Sequence, residues 1–264
     1  MTQTLSIEIA DDIAIVTLNR PDKKNAMSFE MMAELVETGK TLRESKGLRA
    51  VILTGSNHCF CSGIDLTDLM SAVPKMDELR TEILNPPAGD TSNKFQAPIT
   101  IWSTLDVPVI AALEGVVFGA GAQLALGADF RIASPDTKLS IMEAKWGLIP
   151  DMGISQSLPK LMSADQAMEL IMTARVLDAP EAQSLGLITR LADDPMAAAI
   201  ELTQTLKAKS PNAIKAAKKL VNGIWGCGEA GLKLEAQLQC EIIGGANQME
   251  MVMATMAKRA PKFT

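Results

Sequence analysis

The sequence contains no tyrosine and only one histidine, and these shortages exclude several kinds of site. Phe and Trp together make up 3% of the 264 residues, so the chain is poor in the aromatic platforms on which single-stranded nucleic acids stack. A net charge of -6 opposes binding to the phosphates of nucleic acids or to an anionic membrane. Because His58 is the single histidine, most mechanisms in which histidine activates a serine or cysteine are also excluded. We predict no nucleic-acid partner.

Long apolar runs and metal-binding cysteine patterns are also missing. No apolar run approaches membrane-spanning length, and the N-terminal stretch lacks a basic region followed by an apolar one. The cysteines are Cys59, Cys61, Cys227 and Cys240. The first two are too close for an ordinary disulfide, and no Cys/His set has zinc spacing. We therefore predict a cytoplasmic protein with no membrane partner and no metal.

Buried strands alternate with helices over most of the chain. Apolar runs predict strands at 5–9, 13–18, 50–54, 107–113 and 129–133, and helices at 28–44, 120–128, 154–161 and 164–172. This alternation predicts an α/β protein with a parallel or mostly parallel sheet. Residues 67–97, which contain several prolines, are expected to form a helix fragment and a mobile loop beside a binding site. After about residue 194 the pattern is helical, at 195–209, 212–222 and 228–256.

Two turns rich in small residues each follow a predicted strand and precede a helix. They read FCSGIDL at 60–66 and FGAGAQ at 118–123. A helix N-terminus presents unpaired N–H groups, and small residues let a ligand reach them. Two such turns side by side would direct two N–H donors at one oxygen, which is an oxyanion hole. The alternatives are a structural corner for the first turn and a dinucleotide site for the second, although Leu124 occupies the place of the third glycine.

A mostly apolar segment, EAKWGLIPD, begins with Glu143 and ends with Asp151. Two carboxyl groups close together in a dry pocket cannot both ionise freely, so one becomes a proton donor beside a base. The alternative is that Glu143 is an acid at a sheet edge and that Asp151 caps the helix predicted at 153–161.

The order and spacing of these features resemble the crotonase family of enoyl-CoA hydratases and isomerases over nearly the whole chain. The matching stretches are the two turns, EAKWGLIPD, NRP at 19–21, NA at 25–26, PVIAA at 108–112, GAD at 127–129, AQSLGL at 182–187, KR at 258–259 and Phe263. The resemblance implies an α/β fold, the crotonase (ClpP-like) spiral of ββα units, over residues 1–195. It also implies a helical trimerisation region over residues 196–264, and a homotrimer or homohexamer.

The resemblance further implies an enzyme that acts on an acyl-CoA thioester and needs no cofactor, since coenzyme A is part of the substrate. The oxyanion donors would be the N–H groups of Ile64 and of Ala120, where the family usually has glycine. Glu143 matches one of the two glutamates that hold a water in the hydratases. The other falls at Gln123, and glutamine can hold a water but cannot act as a base.

Asp151 resembles the acid of the dienoyl-CoA isomerases, as does GIDLTDLM at 63–70. We therefore predict double-bond isomerisation of an enoyl- or dienoyl-CoA, with Glu143 and Asp151 as the catalytic pair. Hydration of a 2-enoyl-CoA is the alternative reaction. A non-catalytic acyl-CoA-binding or scaffold protein is the alternative of another class.

The remaining site residues are also taken from the resemblance. Lys24 and Lys258 are predicted to contact the phosphates of coenzyme A. Lys23 and Lys24 lie in the turn where the family touches the nucleotide, and each is more often a solvated charge than a phosphate contact. The predicted substrate-binding residues are Ala26, Ser62, Gly63, Asp65, Leu66, Gly119, Gln123, Trp146 and Leu148.

Overall fold

The computed structural model describes residues 4–225 and 228–263, so that Cys227 lies outside the described residues. The strands form two sheets. They are β1 (Leu5–Ala10), β2 (Ile13–Leu18), β3 (Ala50–Gly55), β4 (Val109–Leu113), β5 (Val116–Phe118), β6 (Phe130–Ala133), β7 (Lys138–Ser140), β8 (Leu177–Asp178) and β9 (Arg190–Leu191).

Helices cover these sheets, and the last of them ends at Met256. They are α1 (Phe29–Glu44), α2 (Leu66–Ala72), α3 (Met76–Leu84), α4 (Ala97–Thr100), α5 (Ala120–Leu126), α6 (Ile154–Ser157), α7 (Ala164–Thr173), α8 (Ala179–Ser184), α9 (Pro195–Lys207), α10 (Pro211–Trp225), α11 (Gly228–Ile242) and α12 (Ala246–Met256). Short 3-10 helices lie at Pro21–Lys23, Val73–Lys75, Ile101–Thr104, Glu143–Trp146 and Leu158–Lys160. No described helix is both long enough and apolar enough to cross a bilayer.

The larger sheet has the order β1-β2-β3-β4-β6-β9 and is parallel except for the β1–β2 pair. Every residue of β4 is buried, as are five of the six in β3. A parallel sheet buried on both faces requires such continuous apolar strands. The predicted mostly parallel α/β architecture is confirmed.

The smaller sheet has the order β5-β7-β8, and its first two strands are parallel. The chain passes from β4 in the larger sheet directly to β5 in the smaller one, and again from β6 to β7. Each of these two passages of the chain therefore adds one strand to each sheet before a helix follows. The sequence did not predict the two- and three-residue strands β5, β7, β8 and β9, because such short strands lack a readable period.

Residues 67–97 contain more helix than the predicted helix fragment. The segment forms α2 and α3, and Leu79 and Ile83 of α3 are buried in the core. The connection to α4 is held by Asn93, whose Nδ2 donates to the Ile83 carbonyl and whose Oδ1 accepts from the N–H of Gln96. The sequence prediction missed α3 because its buried apolar pair, Leu79 and Ile83, lies between Pro74 and Pro86.

The C-terminal helices α11 and α12 pack against α3 and against the elements at the two ends of the EAKWGLIPD segment. Helix α11 contacts α3 and α6, and α12 contacts the 3-10 helix at Glu143–Trp146. The helical stretch predicted at 228–256 is two helices, because Gly244 adopts a left-handed conformation with φ of 73° between them. The division of the chain at residue 195 stays a prediction.

Candidate active site

A cavity of about 330 Å³ lies where the two small-residue turns meet the EAKWGLIPD segment, α3 and α11. Both predicted catalytic acids and both predicted oxyanion residues line it, as do all nine predicted substrate-binding residues. Those are Glu143, Asp151, Ile64, Ala120, Ala26, Ser62, Gly63, Asp65, Leu66, Gly119, Gln123, Trp146 and Leu148. Residues far apart in the sequence are therefore brought into one site.

The first turn is fixed by backbone hydrogen bonds to the segment before α1. The Met27 N–H donates to the Gly63 carbonyl, and the Asp65 N–H donates to the Met27 carbonyl. Successive N–H groups of an extended chain point to opposite edges. Because the Asp65 N–H and the Gly63 carbonyl face Met27, the Ile64 N–H faces away from Met27. Since Ile64 also lines the cavity, this geometry suits its predicted role as a donor.

Asp65 ties this turn to the preceding loop. Its Oδ2 accepts from Arg20 Nη2 at 2.8 Å, and its Oδ1 accepts from the Thr67 N–H at 2.9 Å, which caps α2. The pKa of Asp65 is lowered, since the hydrogen bonds and charge of Arg20 outweigh the opposing effect of burial. Both carboxylate oxygens of Asp65 thus have protein partners, and the contacts favour a structural role.

The second turn is packed directly against the first. Gly119 precedes α5 with a positive φ of 52°, and a Cβ on it would lie 3.8 Å from the Gly63 Cα. A Cβ on Gly121 would lie 2.6 Å from that of Cys61, so only glycine permits this contact. A parallel bridge between Cys61 and Val117 joins the two turns. The predicted oxyanion residues therefore belong to adjoining corners, and Ala120 is the first residue of α5.

Glu143 begins the 3-10 helix after β7, and its carboxylate is held by Gln123. The Gln123 Nε2 donates to Glu143 Oε1 at 2.7 Å, while Gln123 Oε1 accepts from the Met152 N–H at 2.9 Å. Because an N–H can only donate, the Met152 contact fixes which end of the Gln123 amide faces Glu143. The buried Glu143 Oε2 has no hydrogen-bond partner among the described residues. One oxygen is thus anchored and the other is free.

Burial sets the protonation of both acids. It raises the pKa of Glu143 to about 7, against the opposing effect of hydrogen bonds from its own backbone and Gln123. The pKa of Asp151 is raised well above its usual value by burial first, and then by the negative charges of Glu143 and Glu235. Burial thus favours the protonated form of both carboxyl groups, and the neighbouring negative charges favour it further in Asp151. This arrangement places a proton donor and a base in one cavity.

The alternative in which Asp151 caps a helix is not what the structure shows. Helix α6 begins after Gly153, which makes no side-chain cap. The N–H groups of Gly153 and Ser155 donate to Glu235 of α11, at 2.8 and 2.5 Å. Glu235 rather than Asp151 satisfies the start of α6.

The inner wall of the cavity is apolar and was not identified from the sequence. It includes Leu79, Ile83, Phe95, Met152 and Ile243. Ile243 follows α11, and this residue could have been found as part of a buried stripe with Leu232, Ala236 and Gln239. The apolar wall suits a hydrocarbon chain.

The two lysines predicted to contact coenzyme A phosphates do not line the cavity. Lys24 and Lys258 are exposed, whereas the neighbouring Lys23 lines it. The contact of Lys24 and Lys258 with phosphates stays a prediction.

His58 is exposed and lies 3.0 Å from the Glu114 carboxylate, which raises its pKa through this hydrogen bond. It does not line the cavity.

Comparisons with known proteins show the family to which the chain belongs. A family model described as Enoyl-CoA hydratase/isomerase matches residues 8–264. The chain is 32% identical to a protein of Mycobacterium bovis named probable enoyl-CoA hydratase, with 99% of this chain and 98% of that protein covered. It is also 32% identical to the 1,2-epoxyphenylacetyl-CoA isomerase of Escherichia coli K12, over 100% of this chain and 99% of that one.

The fold matches solved structures over the same extent. A crystal structure of an enoyl-CoA hydratase/isomerase from Pseudoalteromonas atlantica superimposes with a TM-score of 0.84 and 27% identity. The match covers 99% of this chain and 100% of that one.

Proposed function

The chain is an enzyme of the enoyl-CoA hydratase/isomerase family with the crotonase fold, and on this premise we propose that it moves a double bond along an enoyl- or dienoyl-CoA. The observation that carries the proposal is the pair of buried acids, Glu143 and Asp151, in one apolar cavity. Relatives named hydratase and isomerase are equally similar to the chain, so the reaction is inferred from the site itself.

The proposed reaction begins with removal of a proton from the substrate. The thioester carbonyl oxygen accepts hydrogen bonds from the N–H groups of Ile64 and Ala120. The free Oε2 of Glu143 removes a proton from the carbon beside the carbonyl, and the electron pair of that C–H bond becomes an enolate. Two backbone donors are suited to this charge, and losing one such donor in other enzymes costs about 3–4 kcal/mol of barrier.

The proposed second step returns a proton farther along the acyl chain. As the enolate collapses, its electron pair moves outward, and a remote carbon takes the proton of Asp151. The double bond has then moved, Glu143 carries a proton and Asp151 is ionised. Transfer of one proton from Glu143 to Asp151 restores the starting state, so the cycle needs no cofactor or co-reactant.

Gln123 supports isomerisation over hydration. Its Nε2 donates to Glu143 and its Oε1 accepts from Met152, and a neutral amide cannot take a proton from water. Hydration by two carboxylates at these positions would therefore lack one base. Hydration stays the second candidate, because the unpartnered Oε2 of Glu143 also suits holding a water.

The two reactions are separated by product analysis. Purified protein is incubated with a short 2-enoyl-CoA and, separately, with a 3,5-dienoyl-CoA, and products are resolved by chromatography. We expect a conjugated 2,4-dienoyl-CoA from the second substrate and little 3-hydroxyacyl-CoA from the first. Strong hydration that persists in Asp151→Asn would overturn the proposed order. Thermal stabilisation by acyl-CoA esters without any turnover would instead indicate a binding protein.

The assembly and the location belong to the same proposal. A homotrimer or homohexamer and a cytoplasmic location are expected from the sequence. The exposed apolar residues of α10, among them Leu220 at 65% and Ile224 at 62% exposure, support the first. The free thiols of Cys59, Cys61 and Cys240 are consistent with the second.

A further inference from the structure

Glu235 is a buried carboxylate that the reaction described above does not use. It lies on α11, is 5% exposed, and does not line the cavity. Burying a carboxylate is costly unless hydrogen bonds compensate. Here the compensating donors are the N–H groups of Gly153 and Ser155, at 2.8 and 2.5 Å. These two residues follow Asp151 almost immediately in the sequence.

Helix α11 approaches the start of α6 closely because it has a glycine at the point of contact. A Cβ on Gly231, one turn before Glu235, would lie 2.7 Å from the Ser155 Oγ. Glycine at this position therefore lets α11 approach the start of α6. Glu235 is further contacted by Gln96, whose Nε2 lies 3.5 Å from its Oε2 and donates to the Leu232 carbonyl at 2.8 Å. The Glu235 carboxylate is thus contacted both by the start of α6 and by Gln96.

We propose that Glu235 is a positioning residue of the reaction, which fixes the backbone after Asp151 and so holds the Asp151 carboxyl in the cavity. This proposal rests on the proposed function in taking Asp151 as the proton donor. Met152, between Asp151 and Gly153, binds Gln123 through its N–H. Glu235 therefore fixes a segment that contains the proton donor Asp151 and that contacts Gln123, the residue that anchors Glu143.

The charge of Glu235 also acts on Asp151. Burial makes the largest contribution to the raised pKa of Asp151, and the carboxylates of Glu143 and Glu235 add to it. Another ionisable group that interacts with Asp151 is the Cys240 thiol, also on α11, whose pKa is raised mainly by burial. Among the described lining residues Lys23 is the one cation, and it is exposed. A negative charge at Glu235 thus favours the protonated, donating form of Asp151.

The test combines kinetics with a measurement that needs no substrate. Glu235→Gln removes the charge and cannot accept from both N–H groups equally well. We expect kcat to fall roughly 10- to 100-fold, as for a small misplacement of a reacting group, with little change in KM. The alkaline limb of the pH profile shifts to lower pH. The control is Glu241→Gln, which removes an exposed charge from the same helix. It should leave kcat, KM and the alkaline limb of the pH profile unchanged.

The protonation of Asp151 is followed directly in the free protein by infrared difference spectroscopy. The C=O stretch of its protonated carboxyl is assigned by its loss in Asp151→Asn. The midpoint at which this band disappears with rising pH should be lower in Glu235→Gln than in wild type. An unchanged midpoint together with unchanged kcat would overturn the proposal. Absence of any turnover by wild type would refute the proposed function but leave this midpoint informative.

Glu235→Asp distinguishes the effect of side-chain length from the effect of charge. It also tests the proposal if Glu235→Gln does not fold. Aspartate keeps the charge but is one methylene shorter, so it cannot reach both N–H groups. We expect a reduced kcat with an infrared midpoint close to that of wild type. A wild-type kcat in Glu235→Asp would contradict positioning by these hydrogen bonds.

Discussion

Glu143 and Asp151 line one cavity, and the pKa of each is raised, that of Asp151 by neighbouring negative charges as well as by burial. Burial raises the pKa of Glu143 to about 7 and that of Asp151 well above its usual value. The base must be ionised and the acid protonated, so kcat/KM should rise through about pH 7 and fall again as Asp151 ionises. A pH profile of the isomerisation measures both limbs.

Two variants assign these limbs. Asp151→Asn should retain the rise near pH 7 but lose the alkaline fall. Glu143→Gln should lower kcat by roughly 10²- to 10⁴-fold above about pH 7, where the wild-type base is ionised, since a general base contributes about this much. An alkaline limb that persists in Asp151→Asn would show that another group sets it.

The buried base also affects stability, with a sign that follows from its raised pKa. The folded protein binds the Glu143 proton more tightly than the unfolded chain does, so this contribution is fully present below pH 4.5 and is lost as pH rises through about 7. Glu143→Gln should therefore become more stable relative to wild type by roughly 2–3 kcal/mol between pH 5 and 8.5, at 1.36 kcal/mol per pKa unit. Urea denaturation at both pH values measures this change. A constant difference would contradict it.

Gln123 determines whether the site contains two acids or three. In Gln123→Glu the carboxylate keeps its bond from the Met152 N–H but places a like charge beside Glu143. The Glu143 pKa should then rise further, and the acid limb should move to higher pH. Because a second base becomes available, we expect hydration of a 2-enoyl-CoA to increase at least about tenfold. Gln123→Met removes both hydrogen bonds without adding a base, and should lower both reactions.

At the scale of the elements, the contact between α5 and the first turn depends on Gly121. Its missing Cβ leaves room for Cys61, which would otherwise lie 2.6 Å away. Gly121→Ala should move α5 and separate the two predicted oxyanion donors, lowering both the melting temperature and kcat, the latter roughly 100-fold. Gly223→Ala on α10 is the control, since a Cβ there has nothing within 4 Å. It should be neutral or slightly stabilising, whereas equal effects of both changes would refute the packing argument.

For the whole molecule, the exposed face of α10 is the feature that favours assembly. Leu220, Val221, Ile224 and Trp225 are each at least half exposed, and their spacing places them on one side of the helix. Such a surface is unfavourable in water unless another chain covers it. The double variant Leu220→Glu/Ile224→Glu should lower the molar mass measured by light scattering. Lys40→Glu on α1, which changes the net charge equally, is the control, and an unchanged mass in the double variant would contradict an interface here.

The sequence by itself determined the buried strands, the two small-residue turns and the acids at the ends of EAKWGLIPD. Each rests on local periodicity or on spacing within a few residues, and β2 has the predicted bounds because its apolar run ends at turn residues. Ser28 likewise caps α1 as predicted, accepting from the Met31 N–H.

Only the tertiary structure decided which distant side chains complete the site. Glu235 lies 82 residues beyond the Gly153 N–H that it binds, and Ile243 lines a cavity whose acids lie far earlier in the chain. Lys23 lines the cavity and Lys24 does not, and this difference depends on the conformation of the turn that follows β2. Such contacts depend on how helices and turns pack against one another, and this packing leaves no periodic signal in the local sequence.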